Sequence, residues 1–375
     1  MNLLAQMNFS DLLMGITGLT VQQVAVILIG CGLIWLAIVK QYEPLLLAPI
    51  GFGAILANLP FSSAVGDAGW LTLLEKAGIS TELFPVLIFI AVGAMCDFTP
   101  LLSMPSMMFF GAAAQFGIFA TIIVATLLGF PIKEAAAIGI IGAADGPTTI
   151  YVSSLFAPRL LGPLAVCAYT YMSLVPIIQP PVIRLLTTKN ERAIRMTYTG
   201  GRPVSRMTKI VFPIVVTIIA GLLVPSSVAL IGALMFGNLI RECGVMEKLS
   251  KAAQNELSNL VTLLIGIAIG GTMDASIFMT WQTLGILALG LAAFILDTAF
   301  GVLFVKLINL FKKEKINPML GAAGISAFPM AARIVAKMAQ EEDPGNYLIM
   351  HAVGANVAGQ IASIMAGGLV LALIH

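Results

Sequence analysis

Asp145 lies within a long apolar stretch and is followed at once by Gly146–Pro147. A charged side chain at the centre of a bilayer costs roughly 2.5–3.5 kcal/mol on insertion scales, and proline interrupts a helix. A second stretch rich in glycine and ending in proline, 321–329, repeats the pattern in the other half of the chain. Two interrupted apolar segments at corresponding positions indicate an ion site built from broken helices inside a membrane.

Composition supports the membrane setting. The 375 residues are 59% hydrophobic and 10% charged, with a mean hydropathy of +1.00, whereas a soluble domain carries about 25% charged residues. Recurrent apolar stretches predict an all-α polytopic membrane protein with roughly ten or eleven spans. The four cysteines are scattered and only two histidines occur, which favours core packing of the cysteines and argues against a transition-metal site. A net charge of +2 gives no indication of nucleic-acid binding.

The longest polar stretch, 187–209, contains six basic residues and one acid. The positive-inside rule predicts that this stretch faces the cytoplasm, so the protein is expected in the inner membrane of a cell. Residues 1–19 lack a basic n-region and a cleavage site, and we interpret them as an interfacial segment rather than a signal peptide.

The two sides of this polar stretch share polar and glycine residues in register. We therefore predict repeat 1 at 20–186, a basic linker at 187–207 and repeat 2 at 208–375. The repeats are predicted to be of the inverted type, with the interrupted segments 135–156 and 318–338 meeting near the membrane midplane. The matching positions are Asn58 with Asn238, Gly93 with Gly270, Asp97 with Asp274, Gly142 with Gly321, and Gln179 with Gln360.

The polar groups inside apolar stretches are mostly oxygen ligands. Carboxylates, amides and the carbonyls freed at helix breaks suit an alkali or alkaline-earth cation. Each residue also has a structural interpretation. Asp97 and Asp274 could be helix-end residues at an interface, and the dipeptide Asp297-Thr298 could pair structurally with other helices. Asn356 could be packing glue between helices, and Arg333 could be an arginine that extends to the interface.

Three long motifs carry a resemblance to a known family. The chain resembles the β subunit of the sodium-pumping biotin-dependent decarboxylases, a family that includes the oxaloacetate, methylmalonyl-CoA and glutaconyl-CoA enzymes. The resemblance covers nearly the whole chain. The motifs are Gly142–Thr148 (GAADGPT), Tyr171–Pro180 (YMSLVPIIQP) and Asn317–Arg333 (NPMLGAAGISAFPMAAR).

The resemblance implies a set of site residues. The key aspartate of the family falls on Asp145, and the other family positions match in residue type. From this we expect Asp145 and Asn356, with helix-break carbonyls, to bind Na⁺. Asn317, Ser326 and Gly321 complete the metal candidates. Arg333, Tyr171 and Asp145 are the catalytic candidates, with Arg333 and Asn317 at carboxybiotin and Tyr171 as a proton relay.

The resemblance also implies a function. The subunit is expected to decarboxylate carboxybiotin supplied by a biotin carrier protein and to couple this reaction to Na⁺ export, consuming an external proton. Expected partners are a carboxyltransferase subunit, a small membrane γ or δ subunit and further copies of this chain. The length weakly favours an acyl-CoA system. A stand-alone Na⁺/H⁺ antiporter is the main alternative, because its repeats and intramembrane acids would look the same. A passive channel and a structural scaffold explain the broken segments and buried acids less well.

Overall fold

The computed structural model describes residues 14–196 and 203–374. Within these residues the fold is helical and contains no strand, as the sequence predicts. Residues 1–13 of the predicted interfacial segment, residues 197–202 of the predicted linker and His375 lie outside the described residues.

The α-helices are joined by short turns, several of them 3₁₀ or π helical. Numbered in chain order from Val21, they are α1 (Val21–Val39), α2 (Pro44–Asn58), α3 (Trp70–Leu74), α4 (Leu83–Met95), α5 (Thr99–Ser103), α6 (Met108–Ala114), α7 (Phe116–Leu127), α8 (Ile132–Ile140), α9 (Gly146–Phe156), α10 (Leu161–Ser173), α11 (Val175–Leu186), α12 (Lys189–Arg192), α13 (Arg206–Leu223), α14 (Val228–Glu242), α15 (Glu247–Ala252), α16 (Ser258–Gly271), α17 (Ala275–Phe278), α18 (Trp281–Phe311), α19 (Met319–Ala322), α20 (Met330–Glu342) and α21 (Ile349–Leu373).

Many of these helices are apolar enough to cross a bilayer, which makes the chain a multi-pass membrane protein. Over the described ranges, six helical stretches reach span length, and two further pairs, bent by 63° and 68°, raise the count to eight if each pair is one span. The remaining apolar sequence forms shorter helices. The total of ten or eleven spans therefore stays a prediction. The six stretches are Val21–Val39, Pro105–Leu127, Arg206–Leu223, Glu247–Gly271, Trp281–Phe311 and Ile349–Leu373.

The described chain forms two compact units. One comprises 14–83 with 262–284, and the other comprises 84–196, 203–261 and 285–374. In the first unit, the Asn58 amide at the end of α2 donates to Met273 O (2.7 Å) and its oxygen accepts from Ala275 N (3.0 Å). In the second unit, the Asn238 amide of α14 donates to Cys96 O (3.0 Å). Each asparagine side chain satisfies backbone groups at the end of another helix.

Two interruptions in the larger unit fall inside the segments predicted from the sequence. The first follows α8, where a 3₁₀ turn leads to Ala144 in the left-handed region (φ 52°) and Asp145 then caps α9. The second separates α19 from α20, with residues 323–329 outside any helix. The two interruptions contact each other, because Ser326 N donates to Ala143 O at 2.9 Å.

Glycines allow the second interruption to sit tightly in the core. A Cβ on Gly321 would overlap the carbonyl oxygen of Gly301 in α18, and a Cβ on Gly324 would overlap that of Phe110 in α6. The backbone of the interruption therefore lies in direct contact with its neighbours. This close approach explains why a residue with a side chain does not fit at Gly324.

Candidate functional site

Asp145 is buried and lies at the start of α9. Its Oδ1 accepts the backbone N–H of Thr148 at 3.1 Å, the usual N-cap hydrogen bond. Pro147 follows in the first turn, where the missing N–H would be unpaired in any helix. The local sequence thus fixes the carboxylate at the positive end of a helix. Only 3% of Asp145 is exposed.

The other carboxylate oxygen connects the two interruptions. Ser363 in α21 donates its hydroxyl to Asp145 Oδ2 at 2.6 Å. Ser326 donates its hydroxyl to Ser363 Oγ at 2.6 Å, and Gly359 O is an alternative acceptor for the same proton at 3.0 Å. A hydrogen-bonded chain therefore runs from the first interruption, through α21, to the second.

Amide side chains hold the carbonyls of the second interruption. Asn356 of α21 donates to Ala323 O (3.1 Å) and Ile325 O (2.8 Å). Gln179 donates to Ala322 O at 2.7 Å, and Gln360 donates to the carbonyl of the serine at 326. These carbonyls lie beyond the end of α19 and would otherwise be unpaired. Each retains a second acceptor lone pair.

Gln115 also directs its amide nitrogen at the second interruption, 3.5 Å from Gly324 O. Three of these amides leave acceptor oxygens free. Among the described residues, the Oδ1 atom of Asn356 and the Oε1 atoms of Gln115 and Gln179 are buried without a hydrogen-bond partner. The amide nitrogens face carbonyls, so the oxygens point elsewhere into the interior. Buried acceptors without donors are costly, and a bound cation would satisfy them.

The charge of the site is that of one carboxylate. Asp145 has no ion-pair partner among the described residues, and residues 14–196 and 203–374 contain no group of three His, Cys, Asp or Glu side chains suited to a metal. A single carboxylate surrounded by neutral oxygens can balance one positive charge. The arrangement therefore suits a monovalent cation or a proton better than a divalent ion.

Two of the predicted catalytic residues are not part of the hydrogen-bonded chain of Asp145, Ser363 and Ser326. Arg333 is exposed in the first turn of α20, and its guanidinium makes no hydrogen bond or ion pair with a described residue. Tyr171 is half-buried in α10 and donates its hydroxyl to Leu287 O of α18 at 2.6 Å. The structure therefore leaves Arg333 available to an incoming anion.

Asn317 lies at the other end of the Asn317–Arg333 motif, close to the basic segment. Its Nδ2 donates to Arg192 O (2.8 Å) and Ile194 O (3.0 Å), and its Oδ1 accepts from Met319 N (3.1 Å). One acceptor lone pair remains on Oδ1. Asn317 is therefore hydrogen-bonded to residues 192–194 and is not part of the chain of Asp145, Ser363 and Ser326.

Three ion pairs fasten the basic segment and the end of α11 to the end of α20. The acids are consecutive and each meets one arginine: Arg184 with Glu341 (3.2 Å), Arg192 with Glu342 (2.7 Å) and Arg195 with Asp343 (2.5 Å). The Arg195 guanidinium and the Gly345 N–H hold the pKa of Asp343 below its usual range. Because α20 carries Arg333, these pairs connect the basic segment to the helix that follows the second interruption.

Sequence reasoning missed Ser363 and Gln115. A lone serine or glutamine in an apolar helix is a common helix-packing residue, so neither gives a signal alone. Ser363 lies seven residues after Asn356, two turns along the same face of α21. This spacing from a predicted ligand is the signal that could have found it.

A helical membrane protein with one buried carboxylate between two interrupted helices has the architecture of an ion-translocating protein. The family model of the Na⁺-transporting oxaloacetate decarboxylase beta subunit matches residues 22–374. The chain belongs to this family of sodium-transporting decarboxylase β subunits, as its motifs predict.

Individual relatives match along almost their whole length. The chain is 53% identical to glutaconyl-CoA decarboxylase subunit beta of Acidaminococcus fermentans and 51% identical to methylmalonyl-CoA decarboxylase subunit beta of Veillonella parvula, each over 360 residues (96% of this chain and 95% of the relative). It is 44% identical to the oxaloacetate decarboxylase beta chain of Haemophilus ducreyi over 423 residues (96% of this chain, 97% of the relative). Such relatives are subunits of multi-subunit decarboxylases.

Proposed function

We propose that this subunit decarboxylates carboxybiotin and couples the reaction to Na⁺ export across the cytoplasmic membrane, consuming one external proton. The carboxybiotin would arrive on a biotin carrier protein, loaded by a carboxyltransferase subunit. A small membrane γ or δ subunit and further copies of this chain complete the complex. The relatives named for acyl-CoA substrates share more identity (53% and 51%) than the oxaloacetate relative (44%), which favours an acyl-CoA system.

The observation that carries the proposal is the hydrogen-bonded chain from Asp145 through Ser363 to Ser326. This chain places the Asp145 carboxylate, which has no counter-charge, between the two helix interruptions. Na⁺ would be held by Asp145 and the free Oδ1 of Asn356, with carbonyls of residues 323–325 and the Ser326 hydroxyl completing the oxygen ligands. Gly321 sets the close packing of this interruption.

Arg333 and Tyr171 would serve the decarboxylation. In this reaction the bond from the biotin ring nitrogen to the carboxyl carbon breaks, CO₂ leaves, and the nitrogen takes up a proton. The exposed guanidinium of Arg333 would bind the carboxylate of carboxybiotin, since its planar donors match carboxylate oxygens. Asn317, which holds the backbone of residues 192–194, would contact carboxybiotin together with Arg333. Tyr171 would relay the proton.

Transport would follow from competition at the buried carboxylate. A carboxylate in a dry site must be balanced by a cation or neutralised by a proton. Arrival of a proton would therefore release Na⁺ to the outside. Movement of the broken helices relative to the surrounding helices would alternate access, with the basic segment 187–209 on the cytoplasmic side.

The first experiment replaces the buried acid. Asp145→Asn should abolish Na⁺-stimulated decarboxylation and sodium uptake in proteoliposomes that contain the whole complex. Asp274→Asn is the matched control, because Asp274 is an exposed helix-capping acid whose cap an asparagine can also form. Sodium uptake at the wild-type rate by Asp145→Asn would overturn the proposal.

The second experiment separates the proposal from its antiporter rival. Arg333→Ala should lower carboxybiotin turnover, whereas Arg184→Ala, which removes an exposed and paired arginine, should not. An antiporter would exchange sodium for protons in liposomes that contain this subunit without any biotinyl carrier. Such flux, together with normal flux in Arg333→Ala, would favour the antiporter.

A further inference from the structure

Asp297 is a second buried acid that the proposed sodium site does not use. It lies in the middle of α18 and is fully buried. Neither of its carboxyl oxygens makes a hydrogen bond of normal geometry with a described residue, and the hydroxyl of Thr298 is also buried without a partner. The side chains of Asp297 and Thr298 therefore make no hydrogen bond of normal geometry across helices to a described residue, although one interpretation of the sequence expected such a pairing. A buried acid without a structural partner requires another explanation.

The Asp297 carboxyl occupies a slot between two glycines. A Cβ on Gly117, in the first turn of α7, would overlap its Oδ1 atom, and a Cβ on Gly142 would lie 2.5 Å from its Oδ2 atom. The backbone N–H groups of Gly117 and Ile118 face the carboxyl. The Ile118 N–H also donates to Gln115 O, just before α7, at 3.2 Å. N–H groups in the first turn of a helix lie at the positive end of its dipole.

Few titratable groups surround this slot. Helix α7 contains none, and the stretch 139–144 contains none before Asp145 itself. On α18 the nearest charged residue is Lys306, nine positions away. Tyr171 of α10 contacts α18 at Leu287, ten positions before Asp297. An isolated carboxylate in a dry interior is strongly disfavoured, so the carboxyl is neutral unless a cation enters. The start of α7 lowers the cost of ionisation and keeps the proton exchangeable.

We propose that Asp297 is a second proton-binding group of the coupled reaction, in addition to the Asp145 carboxylate at which Na⁺ and a proton compete. Gly142 connects the two acids, since it contacts Asp297 and precedes Asp145 by three residues. A movement of the first interruption that exposes Asp145 would also open the Asp297 slot to water. The Asp297 carboxylate would then take a proton from outside water and later release it through water to the biotin ring nitrogen. This inference rests on the proposed function only for the reaction that consumes the proton.

Infrared difference spectroscopy of the purified complex tests whether Asp297 holds a proton. A protonated carboxyl has a C=O stretching band that carboxylates lack and that shifts in D₂O. We expect this band in the wild-type complex near neutral pH, its loss in Asp297→Asn, and its retention in Asp145→Asn and in the exposed-acid control Asp274→Asn. Sodium should leave the band unchanged. If Asp297→Asn does not fold, the same assignment follows from a sodium-insensitive band that Asp145→Asn retains.

A transport measurement tests whether this proton is used. Asp297→Asn should bind sodium with an affinity within about threefold of wild type, while proton uptake per CO₂ released should fall by at least half. The absence of a protonated-carboxyl band attributable to Asp297 would overturn the inference. So would a band that sodium removes, which would make Asp297 a cation ligand, or unchanged proton uptake in Asp297→Asn. Failure of sodium transport in the wild type would refute the proposed function but leave the infrared result standing.

Discussion

The hydroxyl of Ser363 should set how well sodium competes with protons at Asp145. Ser363 donates to Asp145 Oδ2 at 2.6 Å, and Ser363→Ala removes this bond with little change in volume. A hydrogen bond to an ionised group contributes about 1.5–3 kcal/mol, whereas one to a neutral group contributes about 0.5–1.5 kcal/mol. The substitution therefore disfavours the ionised, sodium-binding form by about 1–1.5 kcal/mol relative to the protonated form.

This difference corresponds to a rise of about 5- to 13-fold in the sodium concentration that half-saturates decarboxylation. The assay is CO₂ release by the reconstituted complex, measured against sodium concentration at fixed pH. Ser326→Ala should also raise this concentration, because it removes a proposed Na⁺ ligand and the hydroxyl that contacts Ser363. The double variant should change the sodium dependence by less than the sum of the two single effects, since the free-energy effects of residues in one hydrogen-bonded chain are not additive.

The matched control is Ser173→Ala. Ser173 is also a buried serine in a helix, but its hydroxyl donates to the backbone carbonyl of Tyr169 (2.8 Å). The control should leave the half-saturating sodium concentration unchanged. If Ser363→Ala behaved like Ser173→Ala, or lowered only the maximal rate, the coupling of Ser363 to the charge of Asp145 would be refuted.

Three further predictions follow from the same contacts. Gly321→Ala should destabilise the protein by about 1–3 kcal/mol through overpacking. At Gly232 the nearest atom to an added Cβ is 3.8 Å away, so Gly232→Ala should stabilise the protein by up to about 1 kcal/mol through helix propensity. Thermal unfolding in detergent compares the two variants. Arg195 lowers the pKa of Asp343, so their ion pair contributes its full stabilisation of the folded protein above the ordinary aspartate pKa of about 3.9. This stabilisation is lost as the pH falls through the lowered pKa. Asp343→Asn should remove this acid sensitivity, as measured by proteolysis of the basic segment. Asn356→Ala should raise the half-saturating sodium concentration in the decarboxylation assay, since it removes a free acceptor oxygen.

The sequence predicts the parts of the site that depend on local chemistry. Asp145 beside Gly-Pro indicates both an interruption of the helix and an acid that can cap the next helix. Asn356 is distinctive because it is polar in an apolar helix. The partners of Arg192 and Ser363 could not be predicted in this way. Glu342 is 150 residues from Arg192, and Ser363 is 218 residues from Asp145. Such pairings depend on how the helices pack, which neither hydropathy nor spacing specifies.

The two helix-end asparagines make similar contacts, each within its own unit. Asn58, from the first half of the sequence, bonds to Met273, the residue before Asp274. Asn238, from the second half, bonds to Cys96, the residue before Asp97. Both aspartates then accept the N–H two residues ahead, at 2.9 Å for Asp97 and 2.7 Å for Asp274. Asp97 and Asp274 therefore act as helix-end residues, which is the structural interpretation that the sequence offered for them.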